Sequence, residues 1–275
     1  MKRILMLMCA TLLFPLAAHA AETVTVKGSD TMVVLAQRWA EEYMKKNPEV
    51  KLQVTGGGSG TGIAALINGS TEIAMASRAM KPAEKDKLQE RTHAPPVEMA
   101  MAKDGVTFYV HAKNPVSALS LEQLRAIFAG DTTDWNAVGG KAGPIVLYSR
   151  ESSSGTYVFV KEEVLKNDDF AAKAQTLPGT AAVVNAVAKE PRGIGYGGAA
   201  YASGVKELKI KVGQEEIAPS SENVRAGKYP LSRDLFFYTA SKPTGAVKAF
   251  IDFCLSPAGQ AVVTQVGYFP IVSSK

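Results

Sequence analysis

Short β-branched runs alternate along the chain with stretches whose apolar positions recur every three to four residues. That alternation argues for an α/β fold. Residues 23–27 and 50–54 alternate apolar and polar positions and predict strands. Between them, 31–46 predicts a helix, with Leu35, Trp39 and Tyr43 on one stripe and Ala36, Ala40 and Met44 beside it. Asn47-Pro48 stops it. A glycine-rich loop, Gly56 to Gly62, precedes a short helix carrying Ile63, Leu66 and Ile67, and 73–76 reads as a compact buried strand ending at Ser77-Arg78. Further on, 106–111 and 145–148 predict strands. Residues 121–128 predict a helix introduced by Ser120, with Gln123 at capping-box spacing. The stretch 130–143 is turn-rich around Trp135, a helix runs from the Ser154 region through Val164, and 235–239 is a late strand. Residues 243–255 and 257–266 predict closing helices. No internal repeat or low-complexity linker is visible, so if there are two domains the chain crosses between them more than once.

The first twenty residues stand outside this pattern. Lys2 and Arg3 precede an apolar run over 4–18, and Ala18-His19-Ala20 is a small-x-small cleavage signature. Together they predict a secretory signal peptide cut after Ala20. The run is shorter than the roughly 20 residues a spanning helix needs. No later segment reaches that length without charges, so no direct membrane insertion is expected. Cleavage removes Cys9 and His19, leaving Cys254, His93 and His111. This excludes a disulfide framework and a cysteine zinc site, and leaves little for a histidine metal centre. The net charge of +5 is carried by scattered lysines, which read as a solvated surface rather than a nucleic-acid stripe. Cys254, beside Phe250 and Ile251, reads as a buried hydrophobe.

One local pattern recurs: a strand ends, a Gly/Ser/Thr cluster follows and a helix begins. It occurs at Gly28-Ser29-Asp30-Thr31, at Gly58-Ser59-Gly60-Thr61 and at Ser154-Gly155-Thr156. The first turn of a helix has N–H groups without intrahelical partners and a partial positive charge, so it suits an anion. Each cluster alone also reads as a plain N-cap. Arg78 and Arg150 follow strands close to these clusters, and a guanidinium pairs bidentately with an oxyanion. Each arginine alone also reads as a structural ion-pair partner.

Enzyme patterns fail residue by residue. Gly57 to Gly62 has the glycine spacing of a P-loop, but Ile63-Ala64 stands where Lys and Ser/Thr are needed. Gly193 to Gly198 matches G-x-G-x-x-G with no clear strand before it and no helix anchored on it. A serine nucleophile needs a base, and only His93, in a polar loop, and His111, in a strand, are available. Glu162-Glu163 and Asp168-Asp169 read as solvated faces. No catalytic residue, metal or cofactor is expected.

The elements Gly28-Ser29-Asp30-Thr31-Met32, Gly58-Ser59-Gly60, Ser77, Arg150-Glu151-Ser152-Ser153-Ser154-Gly155-Thr156, Gly193 to Tyr196, Tyr229-Pro230-Leu231-Ser232-Arg233 and Leu255-Ser256-Pro257-Ala258-Gly259-Gln260 span essentially the whole chain after Ala20. In these the chain resembles the phosphate-binding proteins of bacterial phosphate ABC transporters, which are periplasmic type II solute-binding proteins. The resemblance implies a two-lobed Venus-flytrap fold with a two-strand hinge and mixed sheets flanked by helices. Lobe one would be 21–103 plus 231–275, and lobe two 104–230. It implies phosphate ligation by the Thr31 hydroxyl, the Met32 backbone N–H, Ser59 and Ser77 from the first lobe, and by Arg150, Ser154, Gly155 and Thr156 from the second. A periplasmic carrier that hands inorganic phosphate to a membrane permease follows from the same resemblance, and a freely diffusing carrier is expected to be a monomer.

One position departs from the family pattern. Where the family carries an aspartate after the serine equivalent to Ser77, this chain has Arg78. The aspartate accepts a hydrogen bond from the protonated phosphate oxygen and repels fully ionised sulfate, so Arg78 implies stronger attraction for a dianion as a further phosphate ligand. Asp30 and Glu151 are the remaining candidates for proton acceptor. Asp30 equally reads as an N-cap, and Glu151 as a partner of Arg150. Binding of another tetrahedral oxyanion such as sulfate, and hydrolysis of phosphate esters, are the competing functional readings.

Overall fold

The structure is a computed structural model that describes residues 22–271; the expected signal peptide over 1–20 lies outside the described residues. The chain first forms β1 (Glu22–Gly28), α1 (Val33–Met44), β2 (Val50–Thr55), α2 (Ser59–Asn68), β3 (Ile73–Ala76), α3 (Pro82–Thr92) and β4 (Val97–His111). It continues through β5 (Ala118–Ser120), α4 (Leu121–Ala129), β6 (Val146–Arg150), α5 (Gly155–Glu163), β7 (Gln175–Leu177), α6 (Gly179–Lys189) and β8 (Gly193–Gly198). Then come β9 (Val205–Glu207), β10 (Lys209–Val212), β11 (Glu215–Ile217) and α7 (Ser221–Arg225). It returns as β12 (Ser232–Thr239), α8 (Gly245–Leu255) and α9 (Pro257–Val266).

The main sheet runs β2-β1-β3-β12-β4-β8-β6-β7, with β9 also on β4, and β11-β10-β5 forms a small second sheet. Strands β1, β2 and β3 are mutually parallel, as are β6, β7 and β8, whereas β12 and β4 are antiparallel to each other and to their outer neighbours. This mixed, helix-flanked sheet is the expected fold class. Its two largest hydrophobic cores carry most of the buried apolar side chains. The first packs Val24 and Val26 of β1 and the α1 stripe against Phe237, Phe250 and Val263. The second packs Val106, Phe108 and Val110 against Leu124, Phe128, Leu147 and Tyr196. Strand β4 feeds both, with Met101 and Ala102 in the first core and Val106 in the second; at β12, Leu235 lies in the first core and Leu231, the residue before the strand, in the second. Each fully buried large apolar side chain contributes about 1.5–3 kcal/mol, so each half has its own source of stability.

Local chemistry sets several boundaries. Helix α1 starts at Val33, two residues later than expected, because the Met32 N–H closes a turn onto the Ser29 carbonyl at 2.9 Å. Strand β4 begins nine residues before the predicted 106, because Glu98, Lys103 and Asp104 interrupt the apolar alternation while the backbone pairs with β12. The G-x-G-x-x-G stretch is itself the fully buried strand β8. A Cβ on Gly195 would sit 2.5 Å from Val183 Cγ1, so its glycine lets α6 lie against the sheet. Ser120 and Gln123 close the expected capping box on α4. Trp39 and Trp135 are both buried, their indoles donating to the Gly259 and Arg192 carbonyls at 2.7 and 2.9 Å. Cys254 is buried in the first core, and burial pushes its thiol up. Among the described residues no single helix is long and apolar enough to cross a membrane. The bent α8–α9 pair passes that test only together, and Phe250, Ile251, Val262 and Val263 spend its apolar faces on the core.

Candidate functional site

The turns after β1, before α2, after β3 and after β6 converge between the two cores. Ser29 Oγ donates to Ser77 Oγ at 2.9 Å, Ser59 and Ser77 hydroxyls lie 3.3 Å apart, and the Ser77 N–H donates to Ser59 Oγ at 3.0 Å. Across from them, Ser154 caps α5 by accepting the Thr156 and Tyr157 N–H groups. The two sides touch where Thr31 and Thr156 hydroxyls meet at 2.8 Å. They touch again where Gly155 faces the serines: a Cβ there would lie 2.4 Å from Ser59 Oγ and 2.7 Å from Ser77 Oγ. Only glycine permits this approach. Ser29, Thr31, Ser59, Ser77, Ser154 and Thr156 are all buried. The backbone N–H groups of Ser59 and Gly155 open α2 and α5, where no intrahelical carbonyl reaches them. The cluster is rich in donors and poor in fixed acceptors, which suits an anion with several oxygens.

Arg150 supplies the positive charge. Its side chain is 1% exposed. Nη2 donates to Asp30 Oδ2 at 2.8 Å, Nη1 to Thr180 Oγ1 at 2.9 Å and Nε to Glu151 Oε2 at 3.3 Å. These bonds orient the fork while each terminal nitrogen commits one of its two hydrogens. Asp30 accepts the Gly57 N–H on its other oxygen at 2.8 Å, so it ties the β1 turn to the glycine loop and to Arg150. It is not the N-cap of α1, a position held by Met32. Glu151 takes the ion-pair reading, with a side chain 38% exposed. Tyr201 donates to the Asp30 carbonyl at 2.7 Å and Tyr268 to the Thr31 carbonyl, fixing the same turn from behind.

Two expected ligands are placed differently. Arg78 spends both terminal nitrogens on Glu84, at 2.8 and 2.7 Å, and Nη1 also reaches the Ala79 carbonyl. It makes no hydrogen bond to the hydroxyl cluster. The cause is local: α3 begins at Pro82, so Glu84 in its first turn folds back over residue 78 and also caps the Lys81 N–H. Burial works to raise the Glu84 carboxyl, but Arg78 and the Lys81 N–H outweigh it and hold it below the usual range. Met32 is the second case, since its N–H already donates within the Ser29 turn.

Three residues join the cluster without having been singled out. Ser29 was visible inside the first Gly/Ser/Thr motif. Thr180, at the start of α6, carries no sequence signal, because only the fold brings it to Arg150. Arg233 lies in the Y-P-L-S-R element that the sequence showed but to which it assigned no role. Its Nη2 donates to Thr156 Oγ1 at 2.9 Å and to Asp104 Oδ2 at 2.8 Å. Burial pushes the Asp104 carboxyl up against the pull of that arginine.

Among the described residues no group of three or more His, Cys, Asp or Glu side chains could hold a metal. His93 is the exposed left-handed C-cap of α3, and His111 Nδ1 accepts the Lys113 N–H. Asp168 and Asp169 pair with Arg125 and Lys161 on the surface, as solvated faces do.

Residues 16–258 match the family model described as a PBP superfamily domain. The phosphate-binding protein PstS of Pseudomonas aeruginosa is 35% identical over 263 residues, covering 89% of this chain and 81% of that protein. PstS of Staphylococcus aureus is 33% identical over 252 residues, covering 88% and 76%. A phosphate ABC transporter substrate-binding protein from Clostridium perfringens, solved with bound phosphate, superposes with a TM-score of 0.83 at 30% identity over 91% of this chain and all of that one. An ABC-type phosphate transport receptor from Vibrio cholerae gives 0.73 at 28% identity over 90% of this chain and all of its own. By this fold, this cluster and these likenesses, the chain belongs to the PBP superfamily and, within it, to the PstS family.

Proposed function

We propose that this protein captures inorganic phosphate between its two cores and delivers it to the membrane permease of an ABC importer. The observation that carries this reading is the buried cluster of Ser59, Ser77, Thr31, Thr156 and Arg150, with donors contributed from both cores and few acceptors to absorb them. Lobe one is 21–103 plus 231–275 and lobe two 104–230, with β4 and β12 as the hinge. The phosphate ligands are Thr31, Ser59, Ser77, Arg150, Ser154, Gly155 and Thr156. An anion that reaches both sides only when they close shifts the population toward the closed form, and the permease reads that form. The protein acts as a monomer in the periplasm after loss of its signal peptide, and it performs no catalysis.

Selectivity over sulfate needs an acceptor for the proton that phosphate keeps. Asp30 fills this role, because a carboxylate with two donors bound retains lone pairs and Asp30 sits inside the cluster, while Glu151 is more exposed. The test is isothermal titration of protein stripped by unfolding and refolding, with phosphate first and sulfate as competitor. Micromolar or tighter phosphate binding, about 8 kcal/mol or more, that sulfate fails to displace is expected. Silence toward phosphate, or equal competition by sulfate, would overturn the reading. A chromogenic phosphate ester should remain intact; turnover that resists repurification would replace a carrier with a hydrolase.

A further inference from the structure

Arg233 has three sets of contacts, and they point in one direction. It sits on β12 directly across from Asp104 of β4 in the strand register. Nε and Nη2 donate to Asp104 Oδ2 at 3.1 and 2.8 Å. The ring of Phe159, on α5, lies 5.2 Å from the guanidinium carbon. Nη2 spends its second hydrogen on Thr156 Oγ1 at 2.9 Å. A guanidinium is planar, so the Nε–Nη2 edge faces Asp104 and the Nη1–Nη2 end faces the Thr156 side. Nη1 on that end is buried and has no hydrogen-bond partner, although the side chain is only 4% exposed. Arg78 Nε and Asp104 Oδ1 are buried without a partner as well, so the direction of the contact to Thr156 carries the argument rather than the unpaired nitrogen.

A guanidinium cannot accept a hydrogen bond, so Thr156 Oγ1 must accept from Arg233. A hydroxyl has one proton. That proton is therefore turned away from Arg233, toward Thr31 Oγ1, 2.8 Å distant, or toward a ligand beside it. A charged first donor also strengthens the donor that follows it. We propose that Arg233 is a positioning residue for the bound anion: from the strand joining the two cores, it holds the Thr156 hydroxyl as a donor to phosphate. The inference rests on phosphate capture at this cluster, and it adds a link from the crossing strands to the ligand.

The test is a cycle of four purified proteins, wild type, Arg233→Met, Thr156→Val and the double variant, each titrated with phosphate and melted thermally. Arg233→Met is expected to weaken phosphate about tenfold or more in the wild-type background and less than about threefold in the Thr156→Val background. The Arg233–Thr156 hydrogen bond couples the two residues in stability as well, so coupling in affinity that exceeds the coupling in melting free energy separates positioning from bracing. Losses in affinity that multiply, or an Arg233→Met protein that binds like wild type, overturn the relay and leave phosphate capture standing. A wild-type protein that takes up no phosphate overturns both. If Arg233→Met fails to fold, Arg233→Lys enters the same cycle, since it keeps a cation against Asp104 without a second nitrogen for Thr156; unchanged affinity in that variant overturns the relay.

Discussion

Arg78 and Arg150 look alike in the sequence and end in different roles. Both follow short strands of small or apolar residues close to a Gly/Ser/Thr cluster. Arg78 finds its carboxylate six residues on, in Glu84, and the pair stays on one side of the molecule. Arg150 finds Asp30 across the junction between the cores, with Thr180 and Glu151 steadying the other nitrogens. Separating the cores would leave the Arg78 pair whole and break the Arg150 pair. The role of a guanidinium is decided by which carboxylate its own neighbourhood can offer.

The comparison breaks most visibly at Arg150. Arg150→Ala leaves Asp30 without its cation and removes the arginine fork bonded to the cluster's acidic turn. Phosphate affinity is expected to fall by about 100-fold or more, in line with the roughly 2–5 kcal/mol of binding lost when one partner of a buried, hydrogen-bonded charge pair is truncated. Titration measures it, and an unchanged affinity would mean the anion sits elsewhere. Next in size is Gly155→Ala. The added methyl would press into the Ser59 and Ser77 hydroxyls at 2.4 and 2.7 Å, so closure is obstructed. Affinity should drop by roughly tenfold while denaturant stability stays within about 1 kcal/mol, because neither core is touched. A stability loss with intact binding would show that the contact is packing alone.

Arg78→Met sharpens the contrast from the other side. It should cost about 1–2 kcal/mol in urea unfolding, as expected for a partly buried bidentate pair, and change phosphate affinity by less than about threefold. A large binding loss would return Arg78 to the site. The smallest effect concerns a carboxylate without an arginine. Glu207 on β9 has a buried oxygen with no partner, and burial together with the Asp104 charge pushes its pKa up from 4.5 to about 7. A carboxyl held higher in the folded chain favours folding below its ordinary value and loses that advantage as pH rises through the folded value. Melting temperature should therefore decline between about pH 5 and pH 8, and Glu207→Gln should flatten that decline. A slope unaffected by the substitution would assign it to another group.

Much of the fold was readable where periodicity was unbroken. The stripe of Leu35, Trp39 and Tyr43, the Ser120 capping box and the closing helices all stand where the pattern put them. The sequence shows the strands that cross between the cores only in part, since Asp104 and Arg233 are charges inside strands and their mutual pairing in space explains them. Strand β8 was hidden because glycine carries no side chain to show a period. The hydroxyl clusters at strand ends were legible as anion donors through helix-terminus chemistry. Which arginine serves them was not, because Glu84 and Asp30 lie at distances in sequence that say nothing about distance in space. Thr180 was invisible for the same reason.

The most direct measurement is a crystal structure of the protein grown with phosphate. The account expects one tetrahedral anion between the two cores, with its oxygens within hydrogen-bond distance of Arg150, Ser59, Thr31 and Thr156, and the Arg78–Glu84 pair intact as it is here. Phosphate held by Arg78 with Glu84 displaced, or an anion bound away from Arg150, would contradict it.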